Sequence, residues 1–140
     1  KSMNNTEYYP WPLEREKINL KDGLIFKSDE LTEDVIINGS FLGDLEFSIN
    51  KKDVDLSVLL YELTPEGKYF HLSSKLISKK IQKGSRFVVV VNVNKNNNSQ
   101  INYGTGKDVN TESIKDAKVP LKITFTGNST ISIPVWNSTK

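Results

Sequence analysis

The chain has 140 residues, of which 36% are hydrophobic and 26% are charged, and its formal net charge is +2. This length and composition predict one globular domain and exclude an intrinsically disordered chain. The small net charge, with lysines scattered among acidic residues, gives no electrostatic reason to expect a nucleic acid or an anionic membrane as partner.

The sequence contains no cysteine, which excludes disulfides, zinc–thiolate sites and cysteine nucleophiles. No apolar run approaches the ~20 residues that a membrane helix needs, and the longest run extends from Phe87 to Val91. The chain begins Lys1-Ser2-Met3, which is not an ordinary translation start, so we expect a fragment of a larger protein. A bacterial parent in the cytoplasm and an exported one both stay open, because many exported bacterial proteins also lack cysteine.

The N-terminal residues 1–17 are predicted to form an extended linker, because Pro10 and Pro12 bar a helix or a central strand. A β-sandwich is expected over residues 18–136, and its first element is a hairpin over 18–26 that turns at Asp22-Gly23. Alternating polar and apolar residues then predict strands. These strands cover 33–38, 41–50 with a break at Gly43, 54–63, 69–72, 76–81 and 86–94.

Turn chemistry gives the clearest local prediction in the sequence. Thr64-Pro65-Glu66-Gly67 is a tight turn, in which Pro presets φ and Gly supplies the left-handed position, so the flanking strands form a hairpin. Later in the chain, the strands 121–125 and 131–135 alternate around Gly127-Asn128 and predict a closing hairpin. Pro134 places the last strand at an edge or an end of its sheet.

Residues 110–117 are the only helix candidate. Asn110 or Thr111 can cap this helix, and Glu112 suits its first turn. Taken together, roughly nine short strands at spacings of about ten residues predict an all-β, two-layer sandwich or barrel. The predicted fold is a single sandwich domain over the chain, with one short helix near 110–117.

His71 is the only histidine in the sequence, and it lies in a predicted hairpin strand. A Ser-His-acid centre needs a nucleophile, a base and an orienting carboxylate that converge in space. No Gly-x-Ser-x-Gly elbow occurs anywhere in the chain. We therefore predict that the chain has no catalytic residue and that His71 is a strand residue facing solvent or a polar neighbour.

Two polar motifs have a possible ligand-binding interpretation. Asp53 and Asp55 alternate along a strand and could meet one calcium ion, although hydrogen bonds to the local backbone are the simpler interpretation. The loop 103–108 contains Gly104-Thr105-Gly106-Lys107, which lacks the spacing of a phosphate-binding loop and precedes no long helix. We predict a shaped contact loop here and expect neither a metal nor a cofactor.

Aromatic residues and asparagine triplets allow two further interpretations. Trp11 and Trp136, with the five tyrosines, could line a sugar-binding face, or they could serve core and interface packing. Asn-x-Ser/Thr triplets are glycan acceptors in secreted eukaryotic proteins, but they also arise by chance in an Asn-rich sequence. The triplets begin at Asn4, Asn38, Asn97, Asn128 and Asn137.

The segment from Asp53 to Leu72 reads DVDLSVLLYELTPEGKYFHL. It resembles the C-terminal domain of X-prolyl dipeptidyl-peptidases and cocaine-esterase-type hydrolases, with an Asp-x-Asp strand start, an apolar strand, a Pro-x-Gly turn and a return strand. The upstream order Trp11-Pro12, Ile18-Asn19-Leu20 and Asp22-Gly23-Leu24 is similar to the same family, so the resemblance runs from about Trp11 to Val135. Glu66 stands where the family usually has Asp, and Lys79-Lys80 where an arginine-containing stretch is common.

The resemblance implies a jelly-roll fold similar to galactose-binding-like domains. It also implies a parent whose α/β-hydrolase domain, upstream of this chain, carries Ser, Asp and His. That parent would release X-Pro dipeptides from peptide N-termini or hydrolyse small acyl esters and amides. The chain would then be a non-catalytic accessory domain that packs on the catalytic domain and helps shape its substrate cleft. The alternatives are a carbohydrate-binding module and an adhesion sandwich, and homo-oligomerisation stays open. The expected domain contacts are Tyr8, Tyr9, Trp11, Tyr103 and Lys107.

Overall fold

The computed structural model describes residues 14–18, 23–72, 78–93 and 100–137. These ranges contain twelve strands and two 3-10 turns, Val109–Thr111 and Ile114–Ala117. The strands are β1 Glu14–Arg15, β2 Leu24–Lys27, β3 Val35–Ile37, β4 Leu42–Asp44, β5 Phe47–Ile49, β6 Leu56–Leu63, β7 Tyr69–His71, β8 Lys79–Ile81, β9 Arg86–Val93, β10 Ile123–Phe125, β11 Thr130–Ser132 and β12 Val135–Asn137. Within the described ranges, no helix is long and apolar enough to span a membrane.

The strands form sheets whose order differs from their order in the chain. A five-stranded sheet has the order β1-β7-β6-β9-β2, and a three-stranded sheet has the order β12-β3-β8. Two further antiparallel pairs join β10 to β5 and β11 to β4. Pro134 lies between β11 and β12, so the predicted strand 131–135 is interrupted there, and β12 pairs with β3 alone among the described strands.

The hairpin of β6 and β7 is confirmed. Its turn is closed by a hydrogen bond from the Gly67 amide to the Thr64 carbonyl at 2.9 Å, and the Thr64 amide donates to the Lys68 carbonyl at 2.8 Å. Gly67 has a φ of +82°, the left-handed conformation that the turn sequence predicts. The hairpin predicted over 18–26 falls partly on residues 19–22, which lie outside the described residues. Its second strand corresponds to β2, which pairs with β9.

The predicted closing hairpin is wrong. β10 pairs with β5, where Phe125 lies opposite Phe47 and the two ring centroids are 5.5 Å apart. β11 pairs with β4, where Ile131 lies opposite Gly43. A Cβ on Gly43 would lie 2.9 Å from Ile131 Cδ1, the end of that side chain, so a larger residue at position 43 would displace the Ile131 side chain.

The predicted strand 41–50 divides into β4 and β5, and the break lies at Leu45-Glu46 instead of Gly43. The reason is a distant loop that binds at Glu46. The Glu46 amide donates to Ser129 Oγ at 2.9 Å, and its carbonyl accepts from the Thr126 amide at 3.0 Å. These hydrogen bonds replace the ladder that a continuous strand would have made.

The predicted short helix is present as two separate 3-10 turns. Asp108 caps the first, because its carboxylate accepts from the Asn110 amide at 3.0 Å. The expected cap at Asn110 or Thr111 is therefore displaced by a few residues. Ser113 caps the second turn, and its amide donates to the Asp116 carboxylate at 2.8 Å. A segment this short is held by such caps and not by helix propagation.

The chain divides into two compact units. We call Lys1–Ser40, Val58–Val91 and Ile133–Lys140 the core unit, and Phe41–Ser57 with Asn92–Ser132 the loop unit. The core unit buries an apolar cluster of Tyr61, Val88 and Val90, against which Leu59, Leu63, Tyr69 and Ile18 pack. The loop unit contains the 3-10 turns and the loop 103–108. A single domain over the whole chain stays a prediction.

Candidate domain-contact loop

The loop 103–107 is shaped by two glycines with left-handed backbones. Gly104 has a φ of +78° and Gly106 a φ of +74°, a region that residues with a Cβ rarely adopt. A Cβ on Gly104 would lie 2.5 Å from Lys51 Cδ and 3.2 Å from the Asp53 carbonyl oxygen. The sequence Gly-Thr-Gly therefore serves both the bend and the close packing of this loop on residues 51–53.

Glu112 holds the first half of the loop. Its carboxylate accepts from the Tyr103 amide at 2.7 Å and from the Thr105 amide at 2.9 Å, and it also accepts from the Thr105 hydroxyl. The Thr105 hydroxyl, the Tyr103 amide and the Thr105 amide favour the ionised form and lower the pKa of Glu112, while burial and Asp116 oppose this shift without reversing it. The loop is therefore tied to an ionised carboxylate.

Asp53 holds the second half of the loop. One carboxylate oxygen accepts from the Gly106 amide at 2.9 Å, and the other accepts from Asn102 Nδ2 at 3.1 Å. Asn102 in turn accepts from the Gly104 amide through its side-chain oxygen at 2.7 Å. Both oxygens of Asp53 thus accept hydrogen bonds, one from the loop and one from the preceding Asn102, whereas Asp55 is exposed.

Lys51 supports the loop from the side of residues 51–53. Its ammonium donates to the Tyr103 carbonyl at 2.8 Å and to the Ala117 carbonyl at 3.4 Å. The Lys52 amide donates to the Gly104 carbonyl at 3.1 Å. Backbone donors and acceptors of the loop therefore bind side chains and backbone of the same unit, which fixes its conformation without a regular ladder.

This geometry argues against the phosphate-binding interpretation of the loop. A phosphate-binding loop points its free amides at the anion. Here the amides of Thr105 and Gly106 donate to Glu112 and Asp53, and the Lys107 amide donates to Thr105 Oγ1 at 3.2 Å. The site that a phosphate would take is filled by carboxylates of the chain. Within the described ranges, no group of three or more His, Asp or Glu side chains could hold a metal ion.

His71 lies in the core unit, and its ring stacks on Tyr61 with centroids 5.0 Å apart and an interplanar angle of 26°. The two residues are opposite each other in the β6–β7 pair. Burial lowers the pKa of His71, and the nearby Arg15 lowers it further, so the neutral imidazole is favoured. The imidazole thus takes the position of a packed aromatic ring in the hairpin.

Comparison with protein families identifies the family to which this chain belongs. The sequence profile of the X-Pro dipeptidyl-peptidase C-terminal non-catalytic domain matches residues 2–105, which is more than half of the 140 residues. The chain belongs to this family. The family membership confirms the predicted resemblance and the all-β sandwich class, and it agrees with the prediction of a non-catalytic chain.

Solved structures share the fold of this non-catalytic domain. An α-amino acid ester hydrolase labelled with selenomethionine aligns at a TM-score of 0.67 and 20% identity, over 82% of this chain and 26% of that chain. An aminopeptidase from a marine sediment archaeon, Thaumarchaeota archaeon, aligns at a TM-score of 0.69 and 14% identity, over 83% of this chain and 26% of that chain. The chain therefore spans about a quarter of each of these proteins. A search of curated proteins finds no match.

Of the five expected contact residues of this non-catalytic domain, Tyr8, Tyr9 and Trp11 lie outside the described residues. Tyr103 is half-buried and Lys107 is exposed, and both lie in the loop. Sequence reasoning did not identify Glu112 and Lys51 as anchors of the loop, and it assigned Glu112 to a helix start. The Asp-x-Asp motif at Asp53 was the one signal that pointed to this place.

Proposed function

We propose that this chain is the non-catalytic C-terminal domain of a larger hydrolase, and that the loop 103–107 contacts the catalytic domain of the same polypeptide. The observation that supports this proposal is the construction of the loop. Its backbone is fixed by Asp53, Glu112 and Lys51, while Gly106 and Lys107 are exposed. A loop that is already ordered loses little conformational entropy when it docks on a neighbouring domain.

The parent would be a serine hydrolase with an α/β-hydrolase domain. Family membership supports a hydrolase parent, and the two structural neighbours are named as an ester hydrolase and an aminopeptidase. The proposed substrates are X-Pro dipeptides at peptide N-termini or small acyl esters and amides. In this proposal the accessory domain forms one wall of the substrate cleft, since binding sites are common at domain junctions.

Activity assays can test whether catalysis belongs to the proposed catalytic domain and not to the 140 residues of this chain. The 140 residues alone should hydrolyse neither a Gly-Pro anilide nor an aryl ester, whereas the full-length parent should hydrolyse one of them. The control is His71→Ala in the 140-residue chain. Turnover by the isolated chain that disappears in His71→Ala would overturn the proposal.

The contact of the loop with the catalytic domain can be tested by amine footprinting of the full-length parent. Lys107 should react slowly with an acylating reagent, because a docked ammonium is shielded from solvent. Lys122 is the matched control, since it is exposed in the same unit and should react at the rate of a free lysine. Equal reactivity of Lys107 and Lys122 in the native parent would remove the loop from the interface.

One observation favours a second candidate function, carbohydrate binding. Trp136 in β12 is 65% exposed, and an exposed indole face can stack on a sugar ring. Affinity electrophoresis in polysaccharide gels measures this function directly. A retardation that Trp136→Ala abolishes would favour the carbohydrate-binding module over the accessory domain.

A further inference from the structure

The connection between β3 and β4 contains the sequence Asn38-Gly39. Both residues are exposed, and Gly39 has a φ of +115°. The strands on either side pair with different partners, β3 with β8 and β12 and β4 with β11. No hairpin ladder therefore closes across Asn38 and Gly39. Among the described residues, the side-chain amide of Asn38 has no hydrogen-bond partner.

This combination exposes Asn38 to attack by the backbone nitrogen of the next residue. The Gly39 nitrogen can add to the side-chain carbonyl carbon of Asn38, because a residue without a Cβ gives the least steric hindrance and the widest choice of backbone angles. The new bond closes a five-membered succinimide. The bond from that carbon to the amide nitrogen breaks, the Gly39 amide proton passes to the leaving nitrogen, and ammonia departs. Water then opens the ring at either carbonyl and gives aspartate or isoaspartate.

The other asparagines of the chain provide an internal comparison. Gly39 is the only one of the eight glycines that follows an asparagine. Side-chain amides of several other asparagines are held by hydrogen bonds, which restrict rotation toward the following nitrogen. Asn50 bonds Pro120 and Lys122, Asn102 bonds Asp53 and Gly104, Asn110 bonds Asp108, and Asn128 bonds Glu46.

We propose that Asn38 is a site of spontaneous deamidation through a succinimide with the Gly39 nitrogen, which converts it to aspartate and isoaspartate in the folded protein. The product carries a new negative charge directly after β3. Isoaspartate also inserts a methylene into the backbone at a point where Gly39 packs near Pro134, since a Cβ on Gly39 would lie 3.5 Å from Pro134 Cγ. Pro134 leads into β12, the partner of β3, so the modified protein should have a weaker β3–β12 pair.

The test follows deamidation of the full-length natural protein during incubation at mildly alkaline pH and 37 °C, with peptide mass spectrometry and isoaspartyl methylation as the two readouts. Asn38 should convert at least about ten-fold faster than Asn128, equivalent to about 1.4 kcal/mol in activation free energy. The rate should rise with pH, because the attacking nitrogen must lose its proton. Both aspartate and isoaspartate should form at position 38.

Two variants make the result specific. Asn38→Gln keeps an amide but would need a larger ring, so it should abolish the isoaspartyl signal, whereas Asn128→Gln should leave that signal unchanged. A synthetic peptide of residues 35–42 gives the rate without the fold. If the peptide converts completely while Asn38 in the folded protein stays intact, the fold protects the site and the proposal is wrong. A signal that persists in Asn38→Gln, or equal conversion at Asn128, would also reject it.

Discussion

Both the core unit and the loop unit contain short strands, but apolar burial stabilises the first and side-chain hydrogen bonds stabilise the second. Every fully buried residue within the described ranges lies in the core unit, where Leu60, Ile81 and Val88 are at most 2% exposed. In the loop unit, side chains such as Asp53 and Lys51 bind backbone groups far away in sequence. Apolar burial is non-directional and builds a stable layer, whereas directional hydrogen bonds define the path of a loop.

The two units should differ most in the loss of unfolding free energy when an isoleucine is truncated, because an isoleucine of the core unit is buried and one of the loop unit is exposed. Ile81→Ala in β8 removes a side chain that is 0% exposed, and it should lower the free energy of unfolding by about 4 kcal/mol through lost burial and a residual cavity. Urea unfolding measures the change. The matched control is Ile114→Ala in the loop unit, where the side chain is 72% exposed and the expected change is within about 0.5 kcal/mol. Equal effects of the two substitutions would contradict the assignment of the core.

A buried charge provides the next largest effect. Glu62 is 1% exposed, and its carboxylate bonds the Lys79 ammonium and accepts from Ser85 Oγ at 2.8 Å. Glu62→Ala should cost about 3 kcal/mol in urea unfolding, because removing one member of a buried ion pair leaves its partners unsatisfied. Glu62→Gln retains the volume and an acceptor for Ser85, and it should cost less.

The control for Glu62 is another glutamate that binds a side chain but is exposed. Glu46 in the loop unit accepts from Asn128 Nδ2 at 3.1 Å. Glu46→Ala should cost about 1 kcal/mol or less, because water replaces the lost hydrogen bond at an exposed site. A Glu46→Ala effect as large as that of Glu62→Ala would show that polar contacts of the loop unit stabilise the fold as strongly as the buried pair does.

Glycine substitutions compare the two units at equal backbone strain. Gly104 in the loop unit and Gly67 in the core unit have φ values of +78° and +82°. Gly67→Ala should cost about 1 kcal/mol from the left-handed backbone alone, since no atom lies within 4 Å of the added Cβ. Gly104→Ala adds the overlap with Lys51 and should cost about 2 kcal/mol. Equal costs in urea unfolding would mean that the loop shifts freely away from Lys51.

The two units also differ in how far the sequence predicted them. The β6–β7 hairpin was predicted because Thr64–Gly67 contains all of its turn chemistry locally. The pairs β10–β5 and β11–β4 were missed, because alternation shows that a segment is a strand but not which distant strand it joins. The composition of the loop 103–107 was noted, but its anchors were not. Glu112 also suited the start of a helix, and Lys51 is distant from the loop in the chain. A side chain that bonds a distant backbone leaves no periodic signal.

The smallest expected effect is local and depends on pH. The pKa of Glu112 is lowered in the folded chain, first by the Thr105 hydroxyl and then by the Tyr103 amide. The stabilisation is therefore fully present above the ordinary pKa of a glutamate, and it is lost as the pH falls through the lowered value of the folded state. Hydrogen-exchange protection factors of the Tyr103 and Thr105 amides should fall in that acidic range. Glu112→Gln, which carries no titrating carboxylate, should have low protection at these amides with no such step. Protection in the native chain that persists below the titration of Glu112 would show that Asp53 and Lys51 hold the loop without it.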